Sequence, residues 1–391
     1  MDQVFSRLEL GDEATPAEYV PTVVIGGGQA GLVIGYHLQR AGERFVILEA
    51  NPRVGDSWRK RWDSLRLFSL PKYASLPGWP IQTKRPPTKD EMADYLESYV
   101  RHFDLPVRTG VRTERVARHG DGFVLHTSAG DLFADHVVIA TGGYLDPYVP
   151  TLAAELDPAI RQLHSVYYRN PSQFADGDVL VVGAGNSGAE LALEAVKSGH
   201  RTSLAGRHPG QVPIRIDSRQ ARYVVPVIMF MFRRVLTLNT PMGRKARGPA
   251  VEHGTPLVRT KVEDLDAAGV SRIPRIVGVQ DGKPVTVEGQ TLDPKTVVWC
   301  TGFRPDYRWV ELPIVGSDGH PVSERGVSPE PGLFFMGLEF QFSAASSTIQ
   351  GLDQDARYLM RWLRGSPAKP HTQAAQSDDS NLDVVRITST R

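Results

Sequence analysis

The chain contains one cysteine in 391 residues, so no disulfide and no redox-active cysteine pair can form within it. Flavoprotein disulfide reductases need such a pair, and that chemistry is excluded. Cys300 follows the run Thr296-Val297-Val298-Trp299 and reads as a small buried hydrophobe at a strand end. The histidines are scattered, without an HExxH pattern or a cysteine cluster, so no metal site is expected. No apolar run approaches the ~20 residues of a membrane helix, so no integral membrane segment is expected. Net charge is +1, which gives no electrostatic reason to expect nucleic acid or an anionic membrane as partner. Asp2, Glu9, Asp12 and Glu13 precede the first apolar strand in place of a basic-then-apolar leader, so the expected compartment is the cytoplasm. Also missing are a catalytic triad and paired acid/base carboxylates. What remains is an ordinary globular composition, 41% hydrophobic and 23% charged, long enough for two domains.

Two glycine fingerprints, about 160 residues apart, organise the chain. The first is Gly26-Gly27-Gly28-Gln29-Ala30-Gly31 after the apolar run from Thr22 to Ile25. The second is Gly183-Ala184-Gly185-Asn186-Ser187-Gly188 after Val179 to Val182. Each reads as strand, tight turn and helix, the context in which a helix N-terminus receives a pyrophosphate. Glycine-rich turns also occur for packing alone, but the residues after each second strand differ in a telling way. Phe45 to Leu48 ends in Glu49-Ala50, a carboxylate placed for ribose hydroxyls. Thr202 to Ala205 ends in Gly206-Arg207, a cation that would pair with a ribose 2′-phosphate, with His208 as a weaker helper. The first site is therefore read as FAD-binding and the second as NADPH-binding.

The expected fold is α/β, with two Rossmann-like dinucleotide-binding domains and the NADPH domain inserted in the FAD domain. Residues 21–150 would form the first part of the FAD domain, 151–174 a linker, 175–295 the NADPH domain and 296–362 the FAD-domain return. Residues 363–391, rich in Pro, Ser, Gln and Asp, read as a disordered tail. The spacing of Met92, Tyr95, Leu96 and Tyr99 predicts a helix from Thr88 to Phe103, capped at Thr88 or Asp90. Val111–Val116, Phe123–Thr127 and Leu132–Phe133 read as an inserted β-meander. A strand ending in Thr141-Gly142 closes the first nucleotide unit, and a like strand ending in Thr301-Gly302 closes the second. A final helix near Gly351–Leu363 would bring Gln350 and Gly351 to the flavin edge. Tyr223 to Phe232 is almost wholly apolar and precedes Arg233-Arg234. It reads first as a buried or interface helix compatible with a homodimer, with a lid or a membrane-surface anchor as the sharper alternatives.

Several motifs together resemble the flavin-containing monooxygenase family, in its bacterial and YUCCA-like branch. They are the first fingerprint with Glu49, the passage Arg53-Val54-Gly55-Asp56-Ser57-Trp58 with Trp62-Asp63-Ser64-Leu65-Arg66-Leu67 behind it, His164 to Pro171, and Thr301-Gly302-Phe303-Arg304-Pro305-Asp306. The resemblance spans about Pro21 to Leu363 and implies FAD and NADPH as cofactors and a small organic molecule and dioxygen as substrates. A flavin C4a-hydroperoxide would deliver one oxygen atom. It also implies Trp58 and Arg66 as walls of the flavin pocket, with core packing and a surface ion pair as their alternatives. Of the family signature Phe-x-Gly-x-x-x-His-x-x-x-Tyr only His164 and Tyr168 are kept; Pro158 and Ile160 fill the other slots. His164 has a second reading, an ordinary linker histidine hydrogen-bonded between domains. Where many members place an asparagine, Leu67-Phe68-Ser69-Leu70 offers only Ser69. The catalytic candidates are thus Arg66, Ser69, His164 and Tyr168. Tyr168 stands where a Baeyer–Villiger signature ends in tryptophan or phenylalanine, which leans towards N- or S-oxygenation. Oxidative decarboxylation of a 2-oxo acid, and a reductase or oxidase passing electrons to a quinone, a protein or dioxygen, stay open.

Overall fold

The computed structural model describes residues 18–365 other than Leu145, Asp217, Gly254 and Asp318; the tail expected after 363 lies almost entirely outside the described residues. The apolar runs flanking the two fingerprints form the central strands of two five-stranded sheets, and every strand pair in both sheets is parallel. Strands covered on both faces must be apolar throughout, which is why these runs show no polar alternation. The first sheet runs in the order Leu333–Phe335, His136–Ile139, Thr22–Ile25, Phe45–Glu49, Val107–Thr109. The second runs Arg161–His164, Thr296–Trp299, Val179–Val182, Thr202–Ala205, Ser271–Ile273. In both, the fingerprint strand is in the middle and the chain goes first to one side and later to the other. That reversal opens a crevice at the carboxyl ends of the strands.

Successive side chains on a strand point to opposite faces, and the first sheet divides its core accordingly. Val24, Ile47, Val138 and Phe334 pack towards the helices Gln29–Ala41, Lys89–Phe103 and Ile349–Gly365. Val23, Val46, Val137 and Leu333 pack towards the meander, with Phe123, Leu125 and Leu132 facing them. The meander consists of Thr113–His119, Gly122–Thr127 and Gly130–Ala134, joined at its edge by Glu18–Tyr19.

Two boundaries differ from expectation. The segment read as a linker contributes the strand Arg161–His164 to the second sheet, and Thr296–Trp299 pairs there too, before the chain returns. The reason is hydrogen bonding: the fingerprint strand Val179–Val182 is paired on its second side by Thr296–Trp299, and Arg161–His164 in turn pairs the far side of that strand. Trp62 and Leu65, from the first part of the FAD domain, also pack into the core of the second unit beside Tyr168 and Phe174. The two crossings between units run together, Phe303–Arg304 antiparallel to Asp146–Pro147.

The apolar run after Tyr223 forms the helix Ala221–Phe230, followed by a π-turn at Met231–Val235 and a further helix Pro241–His253. Of the expected buried or interface helix, burial holds for one side only. Only Ala221 and Val225 are buried, whereas Tyr223, Val227 and Phe230 are 73%, 59% and 61% exposed. The inner face has a small cluster of its own, with Ile214, Leu70 and Tyr73, so burial stops at one side.

The helix Lys89–Phe103 shows what a self-sufficient start looks like. Thr88 Oγ1 accepts the Glu91 N–H at 3.1 Å while the Glu91 carboxylate accepts the Thr88 N–H at 2.8 Å. Asp90 and Glu91 place two negative charges in its first turn. Thr88→Ala should cost about 1 kcal/mol of stability, read as a lower urea midpoint with an unchanged slope.

Candidate functional site

In the first fingerprint the glycines answer to different demands. Gly26 has φ +110°, and a Cβ there would stand 2.6 Å from the Ala140 carbonyl oxygen. A Cβ on Gly31 would stand 1.9 Å from the Gly26 oxygen. Both are required by the protein's own packing. Gly28 is different: a Cβ there would meet nothing within 4 Å. The helix begins at this residue without a capping side chain and without an acid in its first turn, unlike Lys89–Phe103. Uncapped N–H groups at a helix start are an anion site, and the space over Gly28 fits a pyrophosphate.

Glu49 closes the other side of this cradle. It is buried and accepts the Gly27 N–H at 2.9 Å, and from Asn51 the backbone N–H at 2.7 Å and Nδ2 at 2.6 Å. A carboxylate has about four lone-pair sites, so three bonds fix its orientation and leave one for a hydroxyl. Trp58 Nε1 donates to Gln29 Oε1 at 3.3 Å, tying the Trp58 segment to the helix start. Ala30 is buried beneath the turn, Ala50 is exposed, and Thr141 and Gly142 (φ +75°) form the exit of the strand His136–Ile139. At the last helix, Gly351 lacks room for a Cβ because the Ala345 oxygen would stand 2.0 Å away. Beside it, Gln350 Oε1 is buried without a hydrogen-bond partner in the chain. Such an atom is costly unless something else donates to it, and a flavin ring edge carries the required N–H.

The second fingerprint repeats the pattern. Gly183 (φ +108°) approaches the Cys300 oxygen, which would lie 2.2 Å from a Cβ, and Gly188 approaches the Gly183 oxygen, at 1.8 Å from a Cβ. Gly185 is open, and the helix Asn186–Lys197 that it caps also lacks a capping side chain and a first-turn acid. Arg207 is exposed next to this turn and has no ion pair among the described residues. Ser187 is half-buried at the helix start. The Asn186 side chain is spent within the protein. Its Nδ2 donates to the Pro256 carbonyl at 3.0 Å and its Oδ1 accepts the Val258 N–H at 2.9 Å.

Among the described residues no hydrogen bond joins any two of the four catalytic candidates. His164 is buried at the end of its strand, where Nε2–H donates to the Gly302 carbonyl at 3.0 Å and Nδ1 accepts the Val166 N–H at 3.2 Å. Both nitrogens are occupied, and burial holds the imidazole below its usual value and neutral. This is the linker role. The Gly302 carbonyl also accepts the Tyr148 N–H at 3.0 Å, and Thr301 Oγ1 donates to the Tyr148 carbonyl, so Thr301 and Gly302 lock the two crossings. Tyr168 is wholly buried, stacked on Phe174 at 5.2 Å, and burial pushes its hydroxyl well above the phenolic range. Its ring belongs to the core of the second unit, with Trp62 and Leu65. Arg66 has only a long contact, 3.5 Å, to the Pro86 carbonyl, and Ser69 is half-buried.

Arg61 escaped the sequence reading. Its guanidinium lies 5.1 Å from the Tyr144 ring and 5.9 Å from Phe303, both on the interdomain crossings, and burial lowers its pKa. The signal was its position inside the Trp58–Leu67 motif, between two tryptophans.

Residues 23–246 match the pyridine nucleotide-disulphide oxidoreductase family. The solved flavin-containing monooxygenase from Stenotrophomonas maltophilia superposes with a TM-score of 0.72 at 28% identity, covering 89% of this chain and 98% of that one. The chain belongs to this family, on its flavin monooxygenase branch. A CzcO-like oxidoreductase of Geobacillus kaustophilus (strain HTA426) is 34% identical over 345 residues, which is 87% of this chain and 97% of the relative. The probable indole-3-pyruvate monooxygenase YUCCA3 of Arabidopsis thaliana is 27% identical, with 90% of each chain covered. As a flavin monooxygenase it uses FAD and NADPH, and the two open cradles fit them.

Gly28→Val should give folded protein that purifies without flavin, because the new side chain fills space the protein leaves open, whereas Gly31→Val should fail to fold. Circular dichroism and flavin absorbance separate the two. A second expectation concerns pH. His164 is neutral in the folded state but titrates near its ordinary 6.5 when unfolded, so its contribution is complete above that value and falls as pH drops below it. His164→Gln should therefore flatten the acid side of the stability profile, measured by urea unfolding across pH.

Proposed function

We propose that this flavin monooxygenase transfers one oxygen atom from dioxygen to a soft nucleophilic nitrogen or sulfur of a small organic substrate, at the expense of NADPH. The observation that carries this is the pair of cradles, each open over its middle glycine, in a chain that has one thiol and so no dithiol pair. Burial pushes Cys300 up to about 12, so it offers neither a thiolate nor a partner for dithiol chemistry. FAD, when bound, supplies electron acceptance from NADPH and the activation of dioxygen. The chain's residues do the rest. The helix N-termini at Gly28 and Gly185 bind the two pyrophosphates, Glu49 orients the adenosine ribose, and Gln350 Oε1 accepts from the flavin edge. Arg207 selects NADPH by pairing with its 2′-phosphate. Trp58 and Arg66 wall the flavin, and Arg61, held by two aromatic rings, keeps a cation at the interdomain cleft.

The test supplies FAD-loaded protein with NADPH, isotopically labelled dioxygen and a panel of a thioether, a tertiary amine, a cyclic ketone and an aromatic 2-oxo acid. Label in a sulfoxide or N-oxide supports the proposal. Label in an ester or in a decarboxylated acid would replace it with the corresponding oxygenation, and NADPH consumption yielding only hydrogen peroxide or a reduced quinone would overturn it. Arg207→Ala should weaken NADPH by about 1.5–3 kcal/mol, one charge-assisted contact, and leave NADH nearly unchanged. Equal losses in KM for both coenzymes would remove Arg207 from the site.

A further inference from the structure

The helical excursion of the second unit has two apolar faces where a surface helix needs one. Ala221, Val225, Ile228 and Met229 face Leu70, Tyr73 and Ile214. Tyr223, Val227, Phe230 and Met231, at helical spacing on the other side, stand exposed. Contiguous apolar exposure of this kind marks an interaction surface.

Charge identifies the partner. From Ser218 to Val251 there is no aspartate or glutamate, while Arg219, Arg222, Arg233, Arg234, Arg244, Lys245 and Arg247 lie in the same stretch. None of these seven has a carboxylate partner among the described residues, although neighbouring arginines do: Arg215 pairs with Asp264, Arg259 with Glu190 and Arg272 with Asp266. Arg233 Nε is buried without a hydrogen-bond partner. The near-zero net charge of the chain thus hides a local cationic field. A second copy docking face to face would bring like charges together. A nucleic acid would leave the apolar stripe unused.

We infer that the exposed face of residues 221–247 docks on an anionic phospholipid surface, the apolar stripe entering the headgroup boundary and the arginines and lysine pairing with phosphates. No helix among the described residues is long and apolar enough to cross a membrane, so the segment lies on the bilayer. The excursion is anchored beside the flavin-side helix: Leu238 N–H donates to the Phe342 carbonyl at 2.8 Å and Ala344 N–H to the Leu236 carbonyl at 3.0 Å. Docking therefore brings the entrance to the last helix close to lipid.

The test is cosedimentation of the FAD-loaded full chain with vesicles of phosphatidylcholine alone and of phosphatidylcholine mixed with phosphatidylglycerol. Binding is expected only to the mixed vesicles, and should weaken as salt is raised. Val227→Ser/Phe230→Ser and, separately, Arg234→Glu/Lys245→Glu should each weaken it about tenfold or more, with flavin content and NADPH oxidation unchanged. Absence of binding, or binding that neither variant weakens, would overturn the inference. So would a concentration-dependent dimer abolished by Val227→Ser/Phe230→Ser, or tighter binding to a DNA duplex than to the mixed vesicles.

Discussion

Among the described glycines, the two with least room for a side chain lie where two pieces of backbone meet, one in each nucleotide unit. In each nucleotide unit the helix after the central strand is pressed so near the preceding turn that the third fingerprint glycine sits on the carbonyl of the first. Any side chain at Gly31 or Gly188 would push the helix away. With the helix so placed, its first N–H groups point into the crevice between strands, and the middle glycine leaves the space above them open. The whole cofactor architecture follows from that contact. It explains why both helices forgo the capping side chain and first-turn acids found on Lys89–Phe103, since any such group would compete with the phosphate.

Joining the two units is a separate physical problem, solved at the paired crossings. A parallel sheet needs strands that arrive from the same end, so the second unit recruits Arg161–His164 and Thr296–Trp299 on either side of its insertion. The resulting junction is polar and buried, and its hydrogen bonds must be met internally. His164, Thr301, Gly302 and Tyr148 satisfy one another there. A histidine with both nitrogens engaged is a fixed strut, and the same geometry that makes it a good junction removes it from proton transfer. Arg61, by contrast, is held at this junction by aromatic faces.

Charge is distributed as unevenly as packing. Many arginines are paired with carboxylates, a few tenths of a kcal/mol each where exposed. Arg207 and the run from Arg219 to Arg247 have no such pair among the described residues, and both places adjoin surfaces for which the chain itself provides no cover. Unmatched cations beside an open cradle and beside an exposed apolar stripe call for anionic partners.

The sequence by itself determined the two nucleotide units and their order, because fingerprint glycines and apolar runs act locally. The Thr88 helix and the meander were legible for the same reason: caps and alternation are read over a few residues. Tertiary structure alone decided what happens where distant segments meet. Tyr168 became core because Phe174 and Trp62 close over it; Asn186 was taken by the loop at residues 255–258; His164 found Gly302 across 138 residues of chain. Whether the apolar helix 221–230 is covered was also undecidable from its composition. Hydrophobicity states that a surface seeks a partner, and only the packed fold shows whether the chain has one to give.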